Sequence, residues 1–318
     1  MSFTNFPNGI TSMGCPVPGG GRFSNPWATH YFVDGDLGSD GNSGKIPNEA
    51  FKTIQKAVTV STGGDVIYIK PKTYTMGTGF ARYEEDVTVT NGVTTAGSGV
   101  TATNAGKSLI GITPRAGHAS DFMGVRWKYA TNTNLNVEAA ATHIENIGFF
   151  CEGATAGIYF EQDGATWSKS GGTGSSLYNC AIKGEGGVLA NGSDSLQIIN
   201  CQFQAKWDGN VSGMIITTDG TNECRRPVLK GCHFIGGNYG TSMDAAPVIW
   251  TGQVQAGLIA DNYFHTGTTV IINIVTGSSS GLIVGNRFAE AQLGTTFIVQ
   301  NGMICVDNKD LGGEQTDA

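Results

Sequence analysis

The side chains able to do acid–base chemistry gather in two stretches. Residues 204–227 and 235–257 carry Asp208, Asp219, Glu223, Arg225, Arg226 and Asp244. If the fold brings Asp219 or Glu223 opposite Asp244, two carboxylates about 5–10 Å apart would suit hydrolysis of a glycosidic bond. The alternative is a set of solvated loop charges, with Glu223 pairing Arg226. The second stretch, "DGDLGSDGN", spaces Asp34, Asp36 and Asp40 among glycines. Alternating oxygens with Gly suit Ca²⁺, but the EF-hand spacing and its closing Glu are absent. A turn held by Asx hydrogen bonds is the favoured reading. His233 and His265 fall at nearly equivalent places in a repeat and are read as facing solvent or a subunit neighbour rather than as bases. Trp127, Trp167, Trp207 and Trp250 would stack on sugar rings if exposed, or fill a subunit interface.

Composition narrows what must position these groups. The chain has 318 residues, 48 of them Gly, and only 14% are charged. That profile argues against a helical bundle and for an all-β fold. The net charge is -7 and no basic cluster exceeds Arg225-Arg226, so nucleic acid is not an expected partner. No apolar run reaches the roughly 20 residues of a membrane helix, so membrane insertion is not expected. The N-terminus lacks a basic region followed by an apolar run, so synthesis in a host cytoplasm without a signal peptide is expected. Seven Cys, none in a CxxC pair, fit reduced thiols better than a zinc ribbon or a disulfide scaffold. No cofactor is expected.

Residues 1–29 read as an extended attachment arm. The segment is rich in Pro and Gly and aperiodic, yet holds Phe3, Phe6, Ile10, Phe23 and Trp27. Each large apolar group gains about 1.5–3 kcal/mol on burial, so the arm is expected to dock on something. Residues 30–75 read as a strand–helix–strand cap. In it "FKTIQKAV" places Phe51, Ile54 and Val58 on one helical face, with Asn48 as N-cap and Gly63-Gly64 as the stop. Residues 76–142 are less regular. The body spans 76–310 and a short tail 311–318.

From residue 143 a repeat emerges. One column reads Ile147, Cys180, Cys201, Cys232, Asn262, Asn286, Asn308, at intervals of about 20 to 33 residues. Two positions later stand Phe149, Ile182, Phe203, Phe234, Phe264 and Phe288. Three positions earlier stand Ile144, Leu177, Ile198, Leu229, Ile259, Ile283 and Cys305. Coils stacked about 4.8 Å apart would pile such positions into ladders. Cys fills space inward, and a buried Asn can bond to the Asn above and below. The unequal intervals imply one short turn per coil and long loops at 204–227 and 235–257.

The segment "YFVDGDLGSDGNSGKIPNEAFKTIQKAVTVSTGGDVIYIKPKTYTM" resembles the N-terminal opening of right-handed parallel β-helix proteins of the pectate-lyase-like superfamily, and the repeats resemble their coils. The resemblance covers roughly residues 30–310 and implies an all-β, right-handed parallel β-helix solenoid with a short capping helix. That superfamily holds lyases, hydrolases, epimerases, adhesins and phage tailspikes, so fold alone does not assign function. Its Ca²⁺-assisted lyases and its hydrolases imply Asp clusters and NTD, DD, HG and RIK strings. None of these strings is present. The opening "FPNGITSMG" with its Gly/Pro linker resembles the start of bacteriophage virion proteins. It implies a structural virion protein, a homotrimer like the tailspikes, joined to other virion proteins by its arm. The alternative is a tailspike-type depolymerase, a glycoside hydrolase or lyase that binds a host surface glycan and uses Asp219, Glu223 and Asp244.

Overall fold

A parallel strand can satisfy its backbone only through neighbours supplied by other coils, and this chain supplies them one coil at a time. The computed structural model describes residues 11–12, 15–16, 28–75, 79–96, 99–112, 124–131, 133–151, 156–163, 169–205, 214–217, 224–236, 247–265, 270–289 and 298–310. Among these, parallel strands form one ten-stranded and two eight-stranded sheets; eight coils contribute one strand to each sheet, and His30–Val33 and Ile304–Val306 extend the first sheet alone. The chain is a parallel β-helix.

The first sheet runs from His30–Val33 to Ile304–Val306, the second from Tyr83–Glu84 to Arg287–Phe288, and the third from Val87–Val89 to Ile298–Val299. A small three-stranded parallel sheet, Ser193–Asp194, Cys224–Arg225 and Val254–Gln255, leads into the first. Stacking therefore begins at residue 30, well before the repeat becomes visible in the sequence at 143. The segment 30–75 is no separate layer, because His30–Val33 and Val66–Ile69 are the first two rungs of the first sheet. Stretches 204–227 and 235–257 are not simply loops either. They hold the third-sheet strands Met214–Thr217 and Val248–Trp250. Short apolar runs between long polar turns hide such rungs from periodicity.

The turn from the first sheet toward the second opens on one left-handed residue in coil after coil: Asn146, Asn179, Asn200, Gly231, Asp261, Gly285 and Asp307, with φ between 50° and 66°. Asn, Asp and Gly are the residues that tolerate this region. The turn swings the next residue inward, beside a backbone carbonyl of the preceding rung of the first sheet. The inward column answers it. The Cys180 thiol lies 3.8 Å from the Ile144 oxygen and 3.4 Å from that of Tyr178, Cys201 3.5 Å from Leu177 and 3.4 Å from Ile199, and Cys232 3.6 Å from Ile198 and 3.5 Å from Lys230. The amides of Asn262, Asn286 and Asn308 donate to the oxygens of Leu229, Ile259 and Ile283 at 2.9–3.1 Å. Three Cys give way to three Asn in this column, both residue types being short donors. Burial pushes the Cys180 and Cys232 thiols up, so they keep the proton they donate. All three cysteines are free.

The next inward column begins two rungs earlier than expected, at Tyr83, followed by Trp127 and then Phe149. The rings of Phe203, Phe234 and Phe264 stack with centroids 4.7 Å apart, matching the strand spacing, and Phe288 follows at 5.4 Å. Trp127 and Trp250 are wholly buried and cannot serve as exposed sugar platforms. Trp167 and Trp207 lie outside the described residues.

One helix, α1 (Ile54–Val60), closes the first coil with Ile54, Ala57 and Val58 buried. Its N-cap is Thr53, whose hydroxyl accepts from the Lys56 N–H at 3.2 Å. Asn48 instead sits in a 3₁₀ turn, Pro47–Glu49. Phe51 precedes the helix because its backbone bonds to Phe32 and Asp34 as a strand residue. Ser61 rather than the glycine pair ends the helix. In the arm, Thr11–Ser12 pairs antiparallel with Cys15–Pro16, a local hairpin in a segment expected to be extended. Phe3, Phe6, Ile10, Phe23, Trp27 and the tail 311–318 lie outside the described residues.

The Asn column yields a stability prediction. Asn286 accepts from the backbone and side chain of Asn262 and donates to Ile259 and Asn308. Asn286→Ala leaves several buried groups unpaired and should cost about 3 kcal/mol or more in urea unfolding. Cys201→Ala, which removes a weak donor, should cost about 1 kcal/mol. Equal costs would contradict the donor role.

Candidate functional site

Each acidic residue of the first turn is engaged locally. Asp34 accepts from the N–H groups of Asp36 and Leu37 and pairs with Lys70 at 2.5 Å. Those bonds to Lys70 and the backbone hold its carboxyl below the usual range, against the opposing effect of burial. Asp36 accepts from the Thr73 N–H and hydroxyl, and Asp40 from the Lys52 and Thr53 N–H groups and the Thr53 hydroxyl. The three carboxylates thus tie the turn to residues 52–53 and 70–73 and do not converge. Among the described residues no group of three or more His, Cys, Asp or Glu could hold a metal ion. Beside this turn lies a surface cavity of about 570 Å³ lined by Phe32, Asp34, Leu37, Pro47, Lys70 and Ile112, among others.

Asp208, Asp219, Glu223 and Asp244 lie outside the described residues. Arg226, expected to pair with Glu223, binds Asp194 at 2.7 Å, and that contact helps hold a left-handed Arg (φ 50°) in the turn. His233 and His265 are not equivalent. His233 pairs with Tyr263, and His265 pairs with Ile235, so the two flank the Phe column on opposite sides.

Sequence reasoning missed a polar group on the outer face of the first sheet. One outward column runs Val66, Ser108, His143, Ser176, Gln197, Val228. The adjacent outward column places Glu145 two residues after His143 on the same strand, His143–Glu145. Nδ1 of His143 lies 2.8 Å from the Ser176 hydroxyl, and Nε2 lies 3.1 Å from Oε2 of Glu145. His143 and Glu145 are buried, while Ser176 is half-buried. His143 and Ser176 are 33 residues apart and meet only because their strands pair in register. The available signal was the spacing His-x-Glu on one outward face, followed by Ser at the aligned position of the next coil. On the third sheet a second cluster forms, with Lys169 between Glu161 at 2.7 Å and Glu138 at 3.2 Å. The Glu161 carboxylate holds the Lys169 ammonium above its ordinary value. One ammonium bridging two carboxylates suits a structural clamp.

The solenoid and these outward polar groups define a parallel β-helix protein whose chemistry, if any, lies on the outside of its sheets. No family model matches the chain, and none of the curated proteins matches it. Among solved structures, a rhamnogalacturonan lyase superposes with a TM-score of 0.49 at 13% identity, over 89% of this chain and 74% of that one.

Lys107 carries a pH prediction. Its ammonium is buried and donates to the Val58 oxygen at 2.8 Å, closing the C-terminal end of α1. Burial pulls its pKa down to about 8, against the raising effect of Asp65. An unfolded Lys titrates near about 10.4. Between about pH 8 and 10.4 the unfolded state holds more protons, so this group raises stability as pH rises through that window. Wild type should therefore gain stability relative to Lys107→Met across it in urea unfolding. A constant difference between the two would contradict a depressed Lys107.

Proposed function

We propose that this chain is a structural protein of a bacteriophage virion, anchored by residues 1–29 and presenting its β-helix outward. The observation that carries the reading is polarity. The arm leads directly into His30–Val33, the first of ten strands of the first sheet, and nine steps of about 4.8 Å carry the last strand about 43 Å away. An anchor at one pole of a stiff rod leaves the other pole free to project. The sequence likeness of "FPNGITSMG" and its linker to virion proteins supports the same reading. A chain lacking residues 1–27 should fold and stay soluble yet fail to join the particle. Normal incorporation of the truncated chain would overturn the proposal.

The reading includes a homotrimer. Its support is the outer face of the first sheet near the far pole, where Val228, Leu258, Leu282 and Ile304 share one column and Ala260, Val284 and Val306 the next. Ile304 is 64% exposed and Val306 45%. Contiguous apolar surface of this kind marks an association site more often than a solvated one. Leu282→Glu combined with Ile304→Glu should convert the trimer to a folded monomer in sedimentation. A monomeric wild type, or a variant that remains trimeric, would contradict this surface.

A further inference from the structure

We propose that Ser176, His143 and Glu145 form a nucleophilic hydrolase site for small acyl esters on the outer face of the first sheet. The proposal goes beyond an anchoring role and does not depend on it. A serine hydroxyl is a weak nucleophile until a neighbouring base takes its proton, and the base must be held in one tautomer. All three elements are present. Glu145 accepts from Nε2–H of His143 at 3.1 Å, which leaves the Nδ1 lone pair facing the Ser176 hydroxyl at 2.8 Å. Both ring nitrogens are thereby assigned by their partners.

Placement favours chemistry. His143 and Glu145 are 5% and 8% exposed, so their hydrogen bonds are shielded from competing water, whereas Ser176 is half-buried and reaches the surface. The backbones of His143, Ser176 and Gln197 donate to Lys107, Thr142 and Ser175 on the preceding rungs, so the site is built on rigid strands. Those N–H groups are therefore not available to a substrate. Gln197, exposed and one rung beyond Ser176 in the same column, supplies a side-chain amide about 4.8 Å along the stack to meet a developing oxyanion. The site lies on a sheet face, which suits a short acyl group carried on an accessible alcohol.

The reaction balances without a cofactor. Oγ of Ser176 bonds to the ester carbonyl carbon as its proton passes to Nδ1 of His143, and the carbonyl π pair moves to oxygen. The intermediate collapses, the bond to the alkoxy oxygen breaks, and His143 protonates the departing alcohol. Water then attacks the acyl-serine, giving its proton to His143. The bond to Oγ breaks and Ser176 regains its proton as the carboxylic acid leaves. Ser176 and His143 are catalytic residues, and Glu145 is a positioning residue.

The test uses the full chain with p-nitrophenyl acetate and a fluorophosphonate probe. Wild type should hydrolyse the ester, and peptide mass spectrometry should place the probe on Ser176. Ser176→Ala should abolish both with circular dichroism unchanged, and His143→Ala should lower kcat by about 10²–10⁴-fold. Glu145→Gln should lower kcat with KM unaltered, a split that a merely structural carboxylate would not produce. If His143→Ala unfolds the chain, the labelling of wild-type Ser176 alone decides. A folded wild type that is neither labelled at Ser176 nor active, or a Ser176→Ala chain that keeps its activity, overturns the proposal.

Discussion

Everything in this protein depends on the vertical register of parallel strands between successive coils. Each rung bonds to the rung before and after it, so equivalent residues repeat about 4.8 Å apart along the stack. A single left-handed residue recurs at the turn between the first and second sheets from Asn146 onward, and from Cys180 to Asn308 a column of short donors reaches a first-sheet carbonyl of the rung before. Where the donor is Cys, the bond is weak and the thiol also fills space. Where it is Asn, the amide additionally bonds the next Asn, and the column becomes a continuous chain from Asn262 to Asn308. Buried polar groups cost heavily when unpaired, so such a column constrains register as well as stability.

The same register governs the outside. The interior columns are repetitive because stacked side chains must fit or bond one another, as the near-parallel Phe203, Phe234, Phe264 and Phe288 rings and the Asn column do. Outward columns are free of that demand. They can turn polar over a few rungs, as at Ser108, His143, Ser176 and Gln197, and apolar again at Val228, Leu258, Leu282 and Ile304. A solenoid thus separates a fixed interior from a surface whose residues meet across one rung although distant in sequence.

The inner columns were legible because like residues recur where stacking rewards likeness. Cys180, Cys201, Cys232 and the three Asn that follow announce the fold by type and spacing. The reason for them was not legible, since it lies in a backbone carbonyl and a left-handed turn. Residues 76–142 read as a less regular part of the body rather than as aligned rungs because strands such as Val87–Val89 and Thr133–Val137 are short and far apart in sequence. The helix boundary was misread because Phe51 satisfies a helical pattern while its backbone pairs with Phe32 and Asp34. Nothing in the local sequence pairs His143 with Ser176. Their meeting is a property of coil length, and the acidic turn was read correctly as Asx-held only because Asp34 bonds within its own turn.

The central claim is that coils stack linearly, one strand per step, from the arm to the far pole. Spin labels placed by non-thiol chemistry at positions 30 and 304 occupy the same outward column on the first and tenth strands. Double electron–electron resonance should give a distance near 43 Å, nine steps of about 4.8 Å, and labels at 197 and 304 should give about 19 Å, four steps. A distance between 30 and 304 below about 30 Å, or one that fails to grow in proportion to the number of rungs, would contradict the stacked solenoid.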